Sequence, residues 1–154
     1  MAAPKLKMRL GDLLVHEHII SNEQLMQALN SQKSTGRKLG DTLIELGHIG
    51  EQQLLEFLAQ QLDVPFLDIS QRRIPGEVAL LLPEVHARRL RALVIEDQGD
   101  SVLIGMSDPA DLSALDQIEQ MLAPKRLNLA VVMESQLFEA FDGLYRRTAD
   151  IESF

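Results

Sequence analysis

Arg9-Leu10-Gly11-Asp12-Leu13-Leu14-Val15 returns as Lys38-Leu39-Gly40-Asp41-Thr42-Leu43-Ile44, a shift of 29 residues. The register then holds without a gap: Ile20 meets Ile49, Gln24 meets Gln53, Leu25 meets Leu54, Leu29 meets Leu58 and Gln32 meets Gln61. A fixed period marks repeated supersecondary units, none of which can bury its apolar face alone. Each unit reads as a short helix, a break and a longer helix. In the first, Ser21 to Gln24 has capping-box spacing, and Leu25, Ala28, Leu29 and Gln32 then share one face. In the second, Gly47-His48-Ile49-Gly50 makes the break, and Leu54, Leu55, Leu58 and Leu62 follow at helical spacing. Residues 9–62 are therefore expected to form a helical bundle of two tandem helix pairs.

Past Pro65 the pattern changes. Phe66-Leu67-Asp68-Ile69 suggests a short extended segment, and Glu77–Leu82 a short helix stopped by Pro83 and resumed through Glu84–Arg89. Residues 91–96 and 101–106 read as strands joined by the turn Asp97-Gln98-Gly99-Asp100. A helix over about 111–122, a strand over about 127–133 and a helix over about 135–147 complete the chain. Leu137, Phe141, Leu144 and Tyr145 make one stripe of that last helix, read as core. The expected fold class is α+β: a helical subdomain over 1–65, then an α+β subdomain over 66–147 with a mostly antiparallel three-stranded sheet. Residues 148–154 are expected as a tail or the start of a linker.

Composition narrows the chemistry. The 154 residues are 45% hydrophobic and 25% charged, ordinary for a globular protein. A net charge of -8 argues against DNA or long RNA as partner, since such binding rests on neutralising many phosphates. The charge is uneven, however. Residues 1–40 carry six cations against three acids, a local balance of +3. With surface charges screened beyond roughly 8 Å at physiological salt, a small anion can still find a basic site here. The absence of cysteine excludes disulfides, thiolate metal sites and Cys nucleophiles. No apolar run approaches the roughly 18 residues of a membrane span, and the start lacks a secretory signal core, so a cytoplasmic chain without membrane insertion is expected.

No catalytic motif emerges. A phosphate loop of the form G-x-x-x-x-G-K-[ST], a G-x-S-x-G elbow and an H-E-x-x-H pair are all missing. His16 and His18 stand two apart, which on a helix points them about 200° from each other and prevents a shared metal. The repeated basic-Leu-Gly-Asp start has two readings. Gly11 and Gly40 permit close backbone approach at a helix entrance, where free N–H groups suit an anion, and Arg9, Arg37 and Lys38 add charge. Asp12 and Asp41 can instead simply favour the helix N-terminus, or accept hydrogen bonds from guanine N–H groups. Leu10, Leu25, Leu29, Leu39, Leu54 and Leu58 fit a core stripe or an apolar nucleobase platform. Gln32 and Gln61, kept in register where an apolar residue is expected, favour the platform.

The pattern R-L-G-x-x-[LVI]-[LVI]-x-x-G-[LVI]-[LVI]-x-x-x-x-L-x-x-x-L-x-x-Q, given twice across a five-residue spacer, resembles the amino-terminal domain of the mannose-sensitive haemagglutinin (MshE-type) pilus ATPase family. Its first copy runs Arg9–Gln32 and its second Lys38–Gln61; the stretch Gly105-Met106-Ser107-Asp108-Pro109 extends the likeness. The resemblance implies a regulatory domain of type IV pilus and type II secretion ATPases that binds cyclic di-GMP, needs no cofactor and is not itself an enzyme. It further implies that the motor lies in a carboxyl-terminal region absent here, and that the domain sits in the cytoplasm, peripheral to the inner membrane and its platform proteins. Carried over by position, the ligand contacts fall on Arg9, Leu10, Gly11, Leu25, Leu29 and Gln32, and on Lys38, Leu39, Gly40, Leu54, Leu58 and Gln61. Asp12, Arg37 and Asp41 join them, as does Asp108, for which an Asp-Pro turn opening a helix is the other reading. Two departures stand out. His18 replaces the pattern's glycine and is expected to alter the turn; Lys38 replaces arginine and lacks its planar fork. The competing expectation is a nucleotide-free docking module that tethers such an ATPase to its membrane platform.

Overall fold

The computed structural model describes residue 6 and residues 8–152, with side chains described as far as Tyr145. Helices α1 (Leu10–His16) and α2 (Asn22–Thr35) form the first pair, and α3 (Leu39–Glu45) and α4 (Glu51–Leu62) the second. The capping box is present: Gln24 N donates to Ser21 Oγ at 3.1 Å, and Ser21 N to Gln24 Oε1 at 2.9 Å. Helix α2 ends where Gly36 takes φ 70°, a left-handed cap that glycine adopts without steric cost.

The two pairs are close copies down to their turns. His18 takes φ 61° and Gly47, its counterpart, φ 79°. In both breaks the left-handed residue donates 3.0 Å back, His18 to Val15 O and Gly47 to Ile44 O. The expected change of turn at His18 is thus corrected: the backbone bonds of the break hold the turn, and histidine bears the left-handed conformation. Thr42 replaces Leu13 of the first copy and is buried, its hydroxyl donating to Lys38 O at 2.9 Å. Leu14, Ile20, Leu25, Ala28, Leu43, Ile49, Leu54 and Leu58 form the helical core, each large side chain supplying roughly 1.5–3 kcal/mol on burial.

The second half holds α5 (Gly76–Ala79), α6 (Glu84–Leu90), β1 (Ala92–Asp97), β2 (Ser101–Met106), α7 (Leu112–Leu122), β3 (Arg126–Val131) and α8 (Glu134–Glu152). Strand β1 pairs antiparallel with β2, as the short turn requires. The second pair is parallel: α7 carries the chain back across the sheet, so β3 runs alongside β2 in the same direction. Leu137, Phe141, Leu144 and Tyr145 are buried against the sheet, as their spacing predicts. Helix α8 continues to Glu152, so residues 148–152, expected as a tail or the start of a linker, are helical; residues 153 and 154 lie outside the described ones.

The segment after α4 stitches the halves together. Phe66 bridges Val131 in parallel fashion, with Leu67 N donating to Val131 O and Val131 N to Pro65 O. Val131, the last residue of β3, packs into the helical core. Among the described residues no helix is long and apolar enough to cross a membrane.

Candidate functional site

The repeat starts face each other. Helices α1 and α3 are entered from Arg9 and Lys38 in extended conformation, and neither helix has a side-chain N-cap. Asp12 and Asp41 sit in the first turns without capping, where their charge suits the helix N-terminus. A Cβ placed on Gly11 would stand 2.6 Å from Leu25 Cδ1 and 3.1 Å from Leu39 Cδ2. One placed on Gly40 would stand 3.2 Å from Leu54 Cδ2 and 3.8 Å from Leu10 Cδ2. Each glycine is therefore covered by the leucine of its own second helix and by the leucine that precedes the other glycine. Such an exchange of partners is the mark of an approximate two-fold relation between like units.

A cleft of about 720 Å³ opens between the second repeat and the α+β half. It brings together Leu10, Arg37, Lys38, Gly40, Asp41, Leu54, Leu58 and Asp108 from the sequence-predicted set. The remainder of that set lies outside its lining. Arg9, Asp12 and Gln61 are exposed, Leu29 and Gln32 are half-buried on α2, and Gly11, Leu25 and Leu39 pack on one another. Leu25, Leu54 and Leu58 belong to the helical core, as the core-stripe reading expects, and Leu54 and Leu58 also line the cleft.

The charges of the cleft are matched across it. Lys38 Nζ donates to Asp108 Oδ2 at 2.6 Å and to Asp111 Oδ2 at 2.8 Å. Burial pulls the Lys38 ammonium down, but the two carboxylates outweigh it and hold its pKa above the ordinary lysine value. Burial pushes the Asp111 carboxyl up, and Lys38 together with the α7 N–H groups more than offsets this, leaving it below the usual carboxylate range. Asp111, not Asp108, caps α7 by accepting from Ala114 N at 3.1 Å. The Asp-Pro turn exists, with Asp111 N donating to Asp108 O at 3.2 Å, and it leaves the Asp108 carboxylate aimed at Lys38.

Arg91 was not among the expected residues. It closes α6 at φ 51° and sends Nη1 to 3.4 Å from Asp41 Oδ2 and 3.1 Å from Glu134 Oε1. Arg37 pairs with Glu45 at 2.7 Å. Gly36, Ile44, Glu51, Leu55 and Ser107 complete the lining. Arg91 and Glu134 carry no motif and reach the cleft only because β3 and α6 deliver them there. Ser107 had a signal, since it stands next to Asp108 in the stretch that extends the resemblance.

Comparisons with known proteins agree with this architecture. The chain is 30% identical over 137 residues to the type IV pilus assembly ATPase PilB of Myxococcus xanthus (strain DK1622), covering 89% of this chain but spanning only 24% of that relative. A solved structure of MshE with cdg, cyclic di-GMP, superposes with a TM-score of 0.80 at 54% identity, over 90% of this chain and the whole of the other. The N-terminal domain of XpsE shares the fold, with a TM-score of 0.68 at 17% identity over 92% of this chain and 97% of that one. Residues 62–151, from the end of α4 through α8, match the model of the MshEN domain family. The chain belongs to the MshEN domain family.

Proposed function

We propose that this MshEN domain is a cyclic di-GMP-binding regulatory module of a type IV pilus or type II secretion ATPase, taking the dinucleotide through its two motifs, Arg9–Gln32 and Lys38–Gln61. The observation that carries the reading is the reciprocal packing of Leu10 on Gly40 and Leu39 on Gly11. A ligand made of two equivalent halves calls for two equivalent binding units, and this packing supports such a pair. The 54% identity to MshE with cdg supports the choice of ligand.

In this reading the bases lie on the leucine surfaces, and the phosphates approach the basic-Leu-Gly-Asp starts, where glycine lets the backbone come close. Asp12, Asp41 and Asp108 offer acceptors to guanine N–H groups. Lys38 already holds two carboxylates, so a phosphate must compete with Asp108 and Asp111 for it. Arg9 is exposed outside the cleft lining and carries the planar fork that Lys38 lacks, which makes it the stronger anchor. Because the displaced carboxylates belong to the α+β half, binding favours one arrangement of the two halves over another. That bias is what the motor region of the parent ATPase would read. The module itself binds without catalysing, in the cytoplasm against the inner-membrane assembly platform.

Calorimetric titration of this domain with cyclic di-GMP tests the reading. Saturable binding at micromolar ligand, weakened roughly 10- to 100-fold by Arg9→Ala as one charged hydrogen-bonding group is lost, is the expected result. A wild-type protein that takes up no cyclic di-GMP overturns it.

A further inference from the structure

Every cation of the cleft already has a carboxylate: Arg37 has Glu45, Lys38 has Asp108 and Asp111, and Arg91 has Asp41 and Glu134. The groups left wanting are of the opposite kind. Among the described residues, Glu51 Oε1 and Ser107 Oγ are the buried side-chain polar atoms without a hydrogen-bond partner, and both residues line this cleft. Buried polar atoms are almost always paired, because stripping water from one costs free energy that only a new partner restores. Two such atoms meeting in one cleft, from opposite halves of the protein, point to a ligand. A carboxylate oxygen is an acceptor only, so its missing partner is a donor and cannot be a phosphate oxygen.

Resting on the cyclic di-GMP reading, we infer that Glu51 reads a guanine, its carboxylate accepting from N1–H and from the exocyclic N2 amino group, with Ser107 as a second polar contact across the cleft. Guanine presents these two donors side by side, and a carboxylate accepts two parallel N–H bonds in the same way that it accepts the fork of an arginine. Adenine has no N1–H and presents an acceptor at that position. Glu51 stands at the first position of α4, and the core residues Leu54 and Leu55 on the next turn hold that helix in place. In the first repeat the matching position is Asn22, which is exposed, so this glutamate belongs to one copy only. The site is thereby asymmetric although the motifs repeat. A residue built to hydrogen-bond a ligand donor discriminates strongly against a ligand that lacks it.

The test compares cyclic di-GMP with cyclic di-IMP, which lacks only the N2 amino groups, on wild type, Glu51→Gln and Ser107→Ala, with circular dichroism to confirm folding. Wild type is expected to prefer cyclic di-GMP by about tenfold or more. Glu51→Gln, isosteric but offering N–H where an acceptor is needed, should weaken cyclic di-GMP by about 10- to 100-fold and abolish that preference. Ser107→Ala should weaken both ligands together. Equal wild-type affinity for the two dinucleotides, or full affinity and preference in Glu51→Gln, overturns the inference while the sensor reading stands. Wild type that binds neither dinucleotide overturns the sensor reading itself, and this inference with it.

Discussion

The ammonium of Lys38, the residue that opens the second repeat, stands 2.6 Å from the carboxylate of Asp108, seventy positions further along the chain. The pair joins the helical half to the turn after β2, and Asp111 at 2.8 Å makes it a clamp. Both partners keep substantial exposure, so water and salt screen the attraction and its contribution is small. Its importance is positional: it links the two walls of the cleft.

Asp111→Asn isolates the clamp from the helix cap, because asparagine caps as well as aspartate while losing the charge. The loss of stability at pH 7 should stay below about 1 kcal/mol. Asp111 is held below its ordinary pKa of 3.8, so its contribution is present above that pH and disappears as pH falls through the lower folded value. Lys38 is raised above 10.5, so its share persists below that pH and is lost only as pH climbs beyond it. Urea unfolding across pH 2–6 should therefore show a shallower acid limb in the variant; identical limbs would mean the Lys38–Asp111 pair contributes nothing.

The two repeat glycines should answer differently to alanine. At Gly11 the new methyl would meet Leu25 Cδ1 at 2.6 Å, and Leu25 is buried with little room to retreat. At Gly40 the nearest atom is at 3.2 Å. Overpacking costs about 1–3 kcal/mol, against a helix-propensity gain of roughly 1 kcal/mol for Gly→Ala. Gly11→Ala is expected to destabilise measurably, and Gly40→Ala to stay near neutral. Denaturant midpoints would reveal the order, and a reversed order would contradict the packing.

His18 carries a side chain where its counterpart Gly47 carries none, at nearly the same left-handed φ. It is exposed, so the substitution removes no core contact. His18→Gly should raise stability by roughly 0.5–1 kcal/mol as the steric penalty is relieved. A drop in thermal midpoint would show that the imidazole makes a compensating contribution.

Tyr145 donates its buried hydroxyl to Leu82 O at 2.8 Å, with Ala79 O at 3.2 Å. Tyr145→Phe should cost about 1–2 kcal/mol, since those carbonyls lose their donor inside the core. Burial, with Glu84 nearby, pushes the phenol from 10.0 up to about 12. A raised pKa means that the native state favours the protonated form, so this stabilisation is complete below pH 10 and is lost as pH rises through about 12. Stability should fall less steeply above pH 10 in the phenylalanine variant; parallel alkaline limbs would rule out a part for Tyr145.

The sequence by itself determined the elements and the repeat. Local signals write both: the Ser21–Gln24 box, the glycines at positions 36 and 47, and the leucine periodicity act between residues a few positions apart. It also marked Lys38, Gly40, Asp41 and Asp108, because a repeated motif and a stretch of family likeness do not depend on the fold. Only the tertiary structure decided which of the marked residues share a cleft, since that depends on how the helical half docks on β3 through Phe66 and Val131. It alone brought in Arg91 and Glu134, and it alone left Glu51 Oε1 and Ser107 Oγ, among the described residues, without a hydrogen-bond partner. Burial and pairing are relations between segments distant along the chain; periodicity and spacing describe each segment separately.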